Sequence, residues 1–183
     1  MKNLRRILTV FRSKGYHVHT RPFQLNLVGI RNDSTRPNSF DDVFAVFFKD
    51  ERGRWNYFEY PCTTDPGTYY LKNPIWQATA ILAQGQYLNA YKIGSHAGKY
   101  TAIVQRRKEV TVIRDDNRDA VLDFLNGSAD TGFFGINIHR ASPYKTSKVI
   151  HRWSAGCQVL ANPADFEHLM SLARRHKDKL GSD

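Results

Sequence analysis

Cysteine is nearly missing: Cys62 and Cys157 are the only two in 183 residues. Two thiols exclude the disulfide framework that staples small secreted domains, so both are expected to be free. Long apolar runs are missing as well, and nothing approaches the roughly 20 residues that a membrane helix requires. The opening 1-MKNLRRILTVFRSKG-15 starts with positive charge. Its apolar run is broken by Arg12 after about five residues, too short for a signal-peptide core. Synthesis in the cytoplasm without a classical export signal is therefore expected. Metal-ligand spacing is lacking too: His17 and His19 alternate without carboxylate or cysteine partners, and no metal or other cofactor is expected. Internal repeats and low-complexity linkers are absent, which points to one compact body with a short N-terminal appendage.

Acidic residues are scarce beside basic ones, 17 against 27, for a net charge of +10. Such a balance favours a polyanionic partner, whether nucleic acid, anionic lipid or cell wall. The basic residues are scattered rather than gathered in a tail, and neither zinc-finger spacing nor an RNA-binding signature is present, so no specific nucleic acid is expected. Hydrophobic residues make up 41% and charged residues 24%, the composition of a folded globular chain.

Residues 3–15 place Leu4, Leu8 and Phe11 at helical spacing and stop at Gly15. Segments 23–30, 43–48, 55–61 and 68–71 are rich in β-branched and aromatic residues between turn-formers, and predict strands. Residues 74–87 allow a short helix or an irregular stretch. Two more strands are predicted over 91–105 and 109–115. A short helix is predicted over 116–127, with Val121, Leu122 and Leu125 on one face, followed by an apolar strand over 133–139 and a polar loop over 140–153. A helix over 162–176 has Asn162 as cap, Pro163 in its first turn, and charges that match its dipole. The chain is expected to be mostly β with flanking helices, divided into a lead-in over 1–22 and a catalytic domain over 23–183.

Cys157 follows the small-residue turn Ser154-Ala155-Gly156, and His139 ends the apolar run 134-FGINIH-139. An imidazole that takes a thiol proton makes a nucleophile, and small residues before the thiol let backbone N–H groups approach a reacting carbonyl. The pattern allows an acyl-transfer site, with a cysteine that serves as a small buried hydrophobe as the alternative. Cys62, beside Tyr60 and Pro61 in a strand, reads as structural. A papain-like protease fits less well, because those enzymes place the cysteine before the histidine.

His139, then fourteen residues, then Ser154-Ala155-Gly156-Cys157 resembles the L,D-transpeptidase catalytic signature, in which a histidine precedes Ser/Thr-His-Gly-Cys at a similar interval. The stretch 63-TTDPGTYYL-71 looks like that family's Thr-Pro-x-Gly-x-Tyr segment, and 134–139 like its approach to the histidine. The resemblance spans roughly residues 25 to 173. It implies an L,D-transpeptidase-like β-sandwich or barrel and a cysteine enzyme acting on peptidoglycan stem peptides at the diaminopimelate–D-alanine bond. Cys157 would be the nucleophile and His139 the base. The N–H groups of Gly156 and Cys157 would hold the oxyanion, with Ser154 hydrogen-bonding nearby. Departures touch substrate binding. Ala155 replaces a histidine, and Gln158-Val159 replaces the usual hydrophobic-Arg or hydrophobic-Asn, so Arg140 or Arg152 would have to supply the missing charge. His96, Trp153 and Tyr70 are further candidates for the substrate cleft.

Net hydrolysis by a monomer is expected, as L,D-carboxypeptidase or endopeptidase, in a phage lysis protein or an effector released or delivered to the wall. Cross-linking transpeptidation is the alternative within the same chemistry. A non-catalytic cell-wall or nucleic-acid binding module on the same scaffold is the alternative outside it.

Overall fold

The computed structural model describes residues 2–34, 37–75, 78–124 and 127–181. Its elements are α1 (Lys2–Ser13), β1 (Asn26–Ile30), β2 (Asp42–Lys49), β3 (Trp55–Thr63), α2 (Thr68–Lys72), β4 (Thr79–Leu82), β5 (Tyr91–His96), β6 (Tyr100–Gln105), β7 (Val110–Asp115), β8 (Ser128–Gly132), β9 (Ile138–Arg140), β10 (Gln158–Leu160) and α3 (Pro163–Leu180). The protein is mostly β, in two sheets with a few helices, as the composition of its segments predicts.

The larger sheet runs β1-β2-β3-β10-β9-β6-β5, and the smaller runs β4-β7-β8. The run 43-VFAVFF-48 is apolar at every position because both of its faces are covered. Phe44, Val46 and Phe48 pack in the main core with Phe166, Leu169 and Met170 of α3. Ala45 and Phe47 alternate to the other face, under Leu4 and Ile7 of α1. Strand periodicity of two and helical periodicity thus meet on both sides of one strand. α3 forms as expected. The Asn162 side chain accepts from Ala164 N–H, Pro163 opens the first turn, and Gly181 closes the helix in the left-handed region at φ 67°.

β10 is short but central. It pairs antiparallel with β3 through Val159↔Thr63 and Leu160↔Cys62. On its other edge it pairs parallel with β9 through Gln158↔Ile138, Val159↔His139 and Leu160↔Arg140. The last strand in the chain order therefore joins the two halves of the larger sheet.

Several local expectations fail for identifiable reasons. Residues 68–71 form α2, because Gly67 C=O accepts from both Tyr70 and Leu71 N–H and Leu71 is drawn into a cluster with Ile81 and Leu122. No helix forms over 116–124: Asn117 Oδ1 takes Asp119 N–H at 3.1 Å and Asp119 Oδ1 takes Val121 N–H at 2.7 Å, side-chain turns that compete with a helical ladder. Leu125, expected on that helix, lies outside the described residues, as do Trp76 and Gln77. The 74–87 stretch supplies strand β4, paired with β7. The segment 91–105 is a hairpin rather than one strand, with β5 and β6 joined at Ala97-Gly98. Only Ile138 and His139 of the 133–139 run are strand. The N–H groups of Phe134, Gly135 and Ile136 instead converge on Gln105 Oε1 at 3.0, 2.8 and 3.3 Å. The polar strand β8 carries no apolar alternation and was not foreseen.

Candidate active site

The Cys157 turn is built by its own side chains. Ser154, fully buried, accepts from Gly156 N–H at 3.1 Å and donates to the Cys157 carbonyl at 2.9 Å. Gly156 sits at φ 124°, and a Cβ there would collide with the Ala80 carbonyl of β4. The 63–71 segment braces the turn from outside. Gly67 N–H donates to Ser154 O at 2.9 Å, and a Cβ on Gly67 would strike His151 O. Glycine is required at both positions by close backbone approach. Behind them, Arg31 Nε reaches Asp65 at 2.6 Å, and Thr64 bonds Asp42 through its N–H at 2.7 Å and its hydroxyl at 2.8 Å.

One expectation is corrected here. The Gly156 N–H is no open oxyanion donor, because Ser154 Oγ two residues upstream already takes it. Ser154 acts as a turn former. The Cys157 N–H has no protein acceptor among the described residues.

His139 lies on β9, the parallel neighbour of β10, and is only 3% exposed. Its Nδ1 lies 2.8 Å from the Arg140 carbonyl and 3.2 Å from the Tyr100 hydroxyl. A carbonyl can only accept, so Nδ1 carries the proton and Nε2 is left with a bare lone pair. Tyr100 also donates to Arg140 O at 3.1 Å, closing a small ring of contacts around Nδ1. The Cys157 sulfur accepts from Asn137 N–H at 3.4 Å and donates to the Gly135 carbonyl at 3.5 Å. No hydrogen bond joins it to an imidazole among the described residues, so thiol and base rest apart, each held by backbone.

Electrostatics agree with a neutral resting pair. Burial, opposed by the Asn137 N–H, pushes the Cys157 thiol up to about 11. Burial and the neighbouring His96 take His139 down to about 3. Burial raises the Tyr100 hydroxyl, Arg140 opposes it, and a thiolate at Cys157 raises it further. The phenol that holds His139 thus also lies within electrostatic reach of Cys157.

The other expected residues are divided among several places. Tyr70 lines a cleft of about 510 Å³ beside Cys157, with Ala80, Phe134 and Ile136 among its apolar walls. His96 stacks on His139, centroids 4.0 Å apart at 21°. The Arg140 guanidinium lies 4.1 Å over the Tyr100 ring, against the base. Arg152 lies 3.9 Å over Tyr69 and does not line the cleft, nor does Trp153, which is 42% exposed. A larger groove of about 1550 Å³ runs between α1, β1 and residues 81–93 and contains neither Cys157 nor His139, whereas the smaller cleft reaches Cys157 but not His139.

Asn137, Tyr100 and Gln105 escaped the sequence reading. Asn137 was detectable as the residue two before His139 and so on the same face of the segment. The other two are brought in by the β5–β6 hairpin. Cys62 is fully buried and free, its thiol raised well above normal by burial and then by Asp42. The described residues hold no group of three or more His, Cys, Asp or Glu suited to a metal. Among the described residues, no helix is long and apolar enough to cross a membrane. No protein-family model matches the chain, and neither a curated protein nor a solved structure matches it.

Proposed function

We propose that this chain is a cysteine-dependent acyl-transfer enzyme, L,D-transpeptidase-like in fold, that acts on peptidoglycan stem peptides with net hydrolysis. The observation that carries the reading is the locked His139 tautomer, which presents a bare Nε2 on the strand next to the one that Cys157 opens. Because both groups rest neutral, ionisation belongs to the attack itself. The thiol turns from Gly135 O, Nε2 removes its proton, and sulfur bonds to the scissile carbonyl carbon. The Cys157 N–H holds the oxyanion. Collapse breaks the C–N bond, and His139 returns the proton to the leaving amine. Water, deprotonated by His139, then releases the acid; an amine in its place forms a cross-link. Arg140, fixed over Tyr100, supplies positive charge beside the base for a substrate carboxylate.

Incubation with soluble muropeptides and mass analysis of the products tests the reading. Wild type should convert a stem peptide by loss of D-alanine or cleavage of a cross-bridge, and Cys157→Ala should not. Identical, unchanged spectra for the two would remove the proposal. A larger product joining two stems would instead make the protein a transpeptidase. The resting bonds of the sulfur to backbone favour a second reading, a non-catalytic binding module. That module would bind intact sacculi without altering any stem.

A further inference from the structure

Accepting His139 as the base, the ring lying on it has a role of its own. The Gln105 N–H donates to Asn137 Oδ1 at 2.9 Å, which fixes the orientation of the amide. Its Nδ2 then faces His96 Nδ1 at 3.1 Å. An amide nitrogen only donates, so His96 Nδ1 accepts and the His96 proton sits on Nε2. His139 carries its proton on the opposite nitrogen, Nδ1, against Arg140 O. The two rings lie face to face at 4.0 Å, too close for both to be cations in a buried place.

Burial disfavours a charge on both rings. From the turn after β5, Lys99 adds to this at His96. From β9, the Arg140 carbonyl favours a charge on His139, and the Arg140 guanidinium, more weakly, disfavours it. β6 contributes the Tyr100 phenol, 3.2 Å from His139 Nδ1. Among the described residues, no carboxylate is among the groups acting on either ring.

We infer that His96, clamped by Asn137 and stacked on His139, is a positioning residue that holds His139 neutral, so that Nε2, left bare by the Arg140 carbonyl's hold on the Nδ1 proton, stays available in acid where a free imidazole is charged. The protein would then act on its substrate in acidified surroundings as well as at neutral pH.

Long-range ¹H–¹⁵N spectra of the histidine rings in the full chain, recorded from about pH 8 down to about 2.5, test this without requiring turnover. Wild type should show His96 protonated at Nε2 and His139 at Nδ1, with His139 resisting titration. In His96→Ala the His139 midpoint should climb by at least about one pH unit towards its ordinary 6.5. In His96→Phe, which keeps a flat ring against His139 but removes the second titrating group, it should climb by less than in the alanine variant and still exceed wild type. The acid limb of kcat/KM on muropeptides should move in the same order. A His96 proton found on Nδ1, or a His139 midpoint equal in wild type and His96→Phe, overturns the inference; both readings stand even where the alanine variant fails to fold. The expected titration without muropeptide conversion would remove the enzymatic reading and leave this one. Conversion without the titration would do the reverse.

Discussion

Gly156 carries two demands at once, a backbone at φ 124° and an approach to Ala80 O that leaves no room for a side chain. Gly156→Ala should therefore cost more than the roughly 1–3 kcal/mol of a strained backbone alone, because β4 must also withdraw. A drop in the urea midpoint of unfolding, with loss of Cys157-dependent turnover, is the expected pair of readings. An unchanged midpoint would show that the Ser154–Cys157 turn tolerates a different path. At this scale the expectation that the chain returns from His139 to the same sheet edge before Cys157 agrees with the parallel pairing of β9 and β10. The destination of the Gly156 N–H was not readable, because Ser154 Oγ can serve either its own turn or a ligand and only coordinates decide. Nor was the stack of His96 on His139, since residues 43 positions apart in sequence meet only through the β5–β6 hairpin.

Elements whose signals are local were the legible ones. α3 announces its start through Asn162, and Asn162→Ala should lower stability by about 1 kcal/mol, read as a fall in the thermal midpoint without change in activity. A larger loss, or a loss of activity, would mean that the cap also positions β10. β2 and β3 were readable because alternating and continuous apolar stretches report burial directly. Helix over 116–127 was misread for a physical reason: an acidic start and Leu spacing suit a helix, but Asn117 and Asp119 spend their side chains on turn N–H groups. α2 was misread because Tyr-Tyr favours strand until Gly67 and the pull on Leu71 bend the backbone. β9 was anticipated within the longer apolar run over 133–139, whereas three-residue β10 is too short for periodicity to register.

For the whole molecule, the depressed His139 pKa becomes a statement about folding. The unfolded chain binds a proton at His139 below about 6.5, whereas the folded chain resists until about 3. Stability from this group is complete above the unfolded value and is lost as pH falls between the two. Asp65 opposes it: burial, against the Arg31 charge, lifts its carboxyl to about 6, so protonation there favours the folded state until the unfolded value near 3.8 is passed. Comparing wild type with His139→Gln isolates the first effect. Between pH 7 and 5 the wild type should lose about 2 kcal/mol more than the variant by urea titration. Equal losses would mean that His139 titrates normally when folded. The basic surplus of +10 leaves its mark as guanidinium groups laid over rings, Arg140 on Tyr100, Arg152 on Tyr69 and Arg175 on Phe23, pairings that no composition could forecast.

The order of the larger sheet has a further consequence for how the molecule is made. The strand that Cys157 opens is the keystone between two half-sheets that have already been synthesised by the time it leaves the ribosome. Until it docks, imidazole and thiol have no common frame, so under the proposed function a nascent or truncated chain would be inert and would gain reactivity only with the closing of the fold.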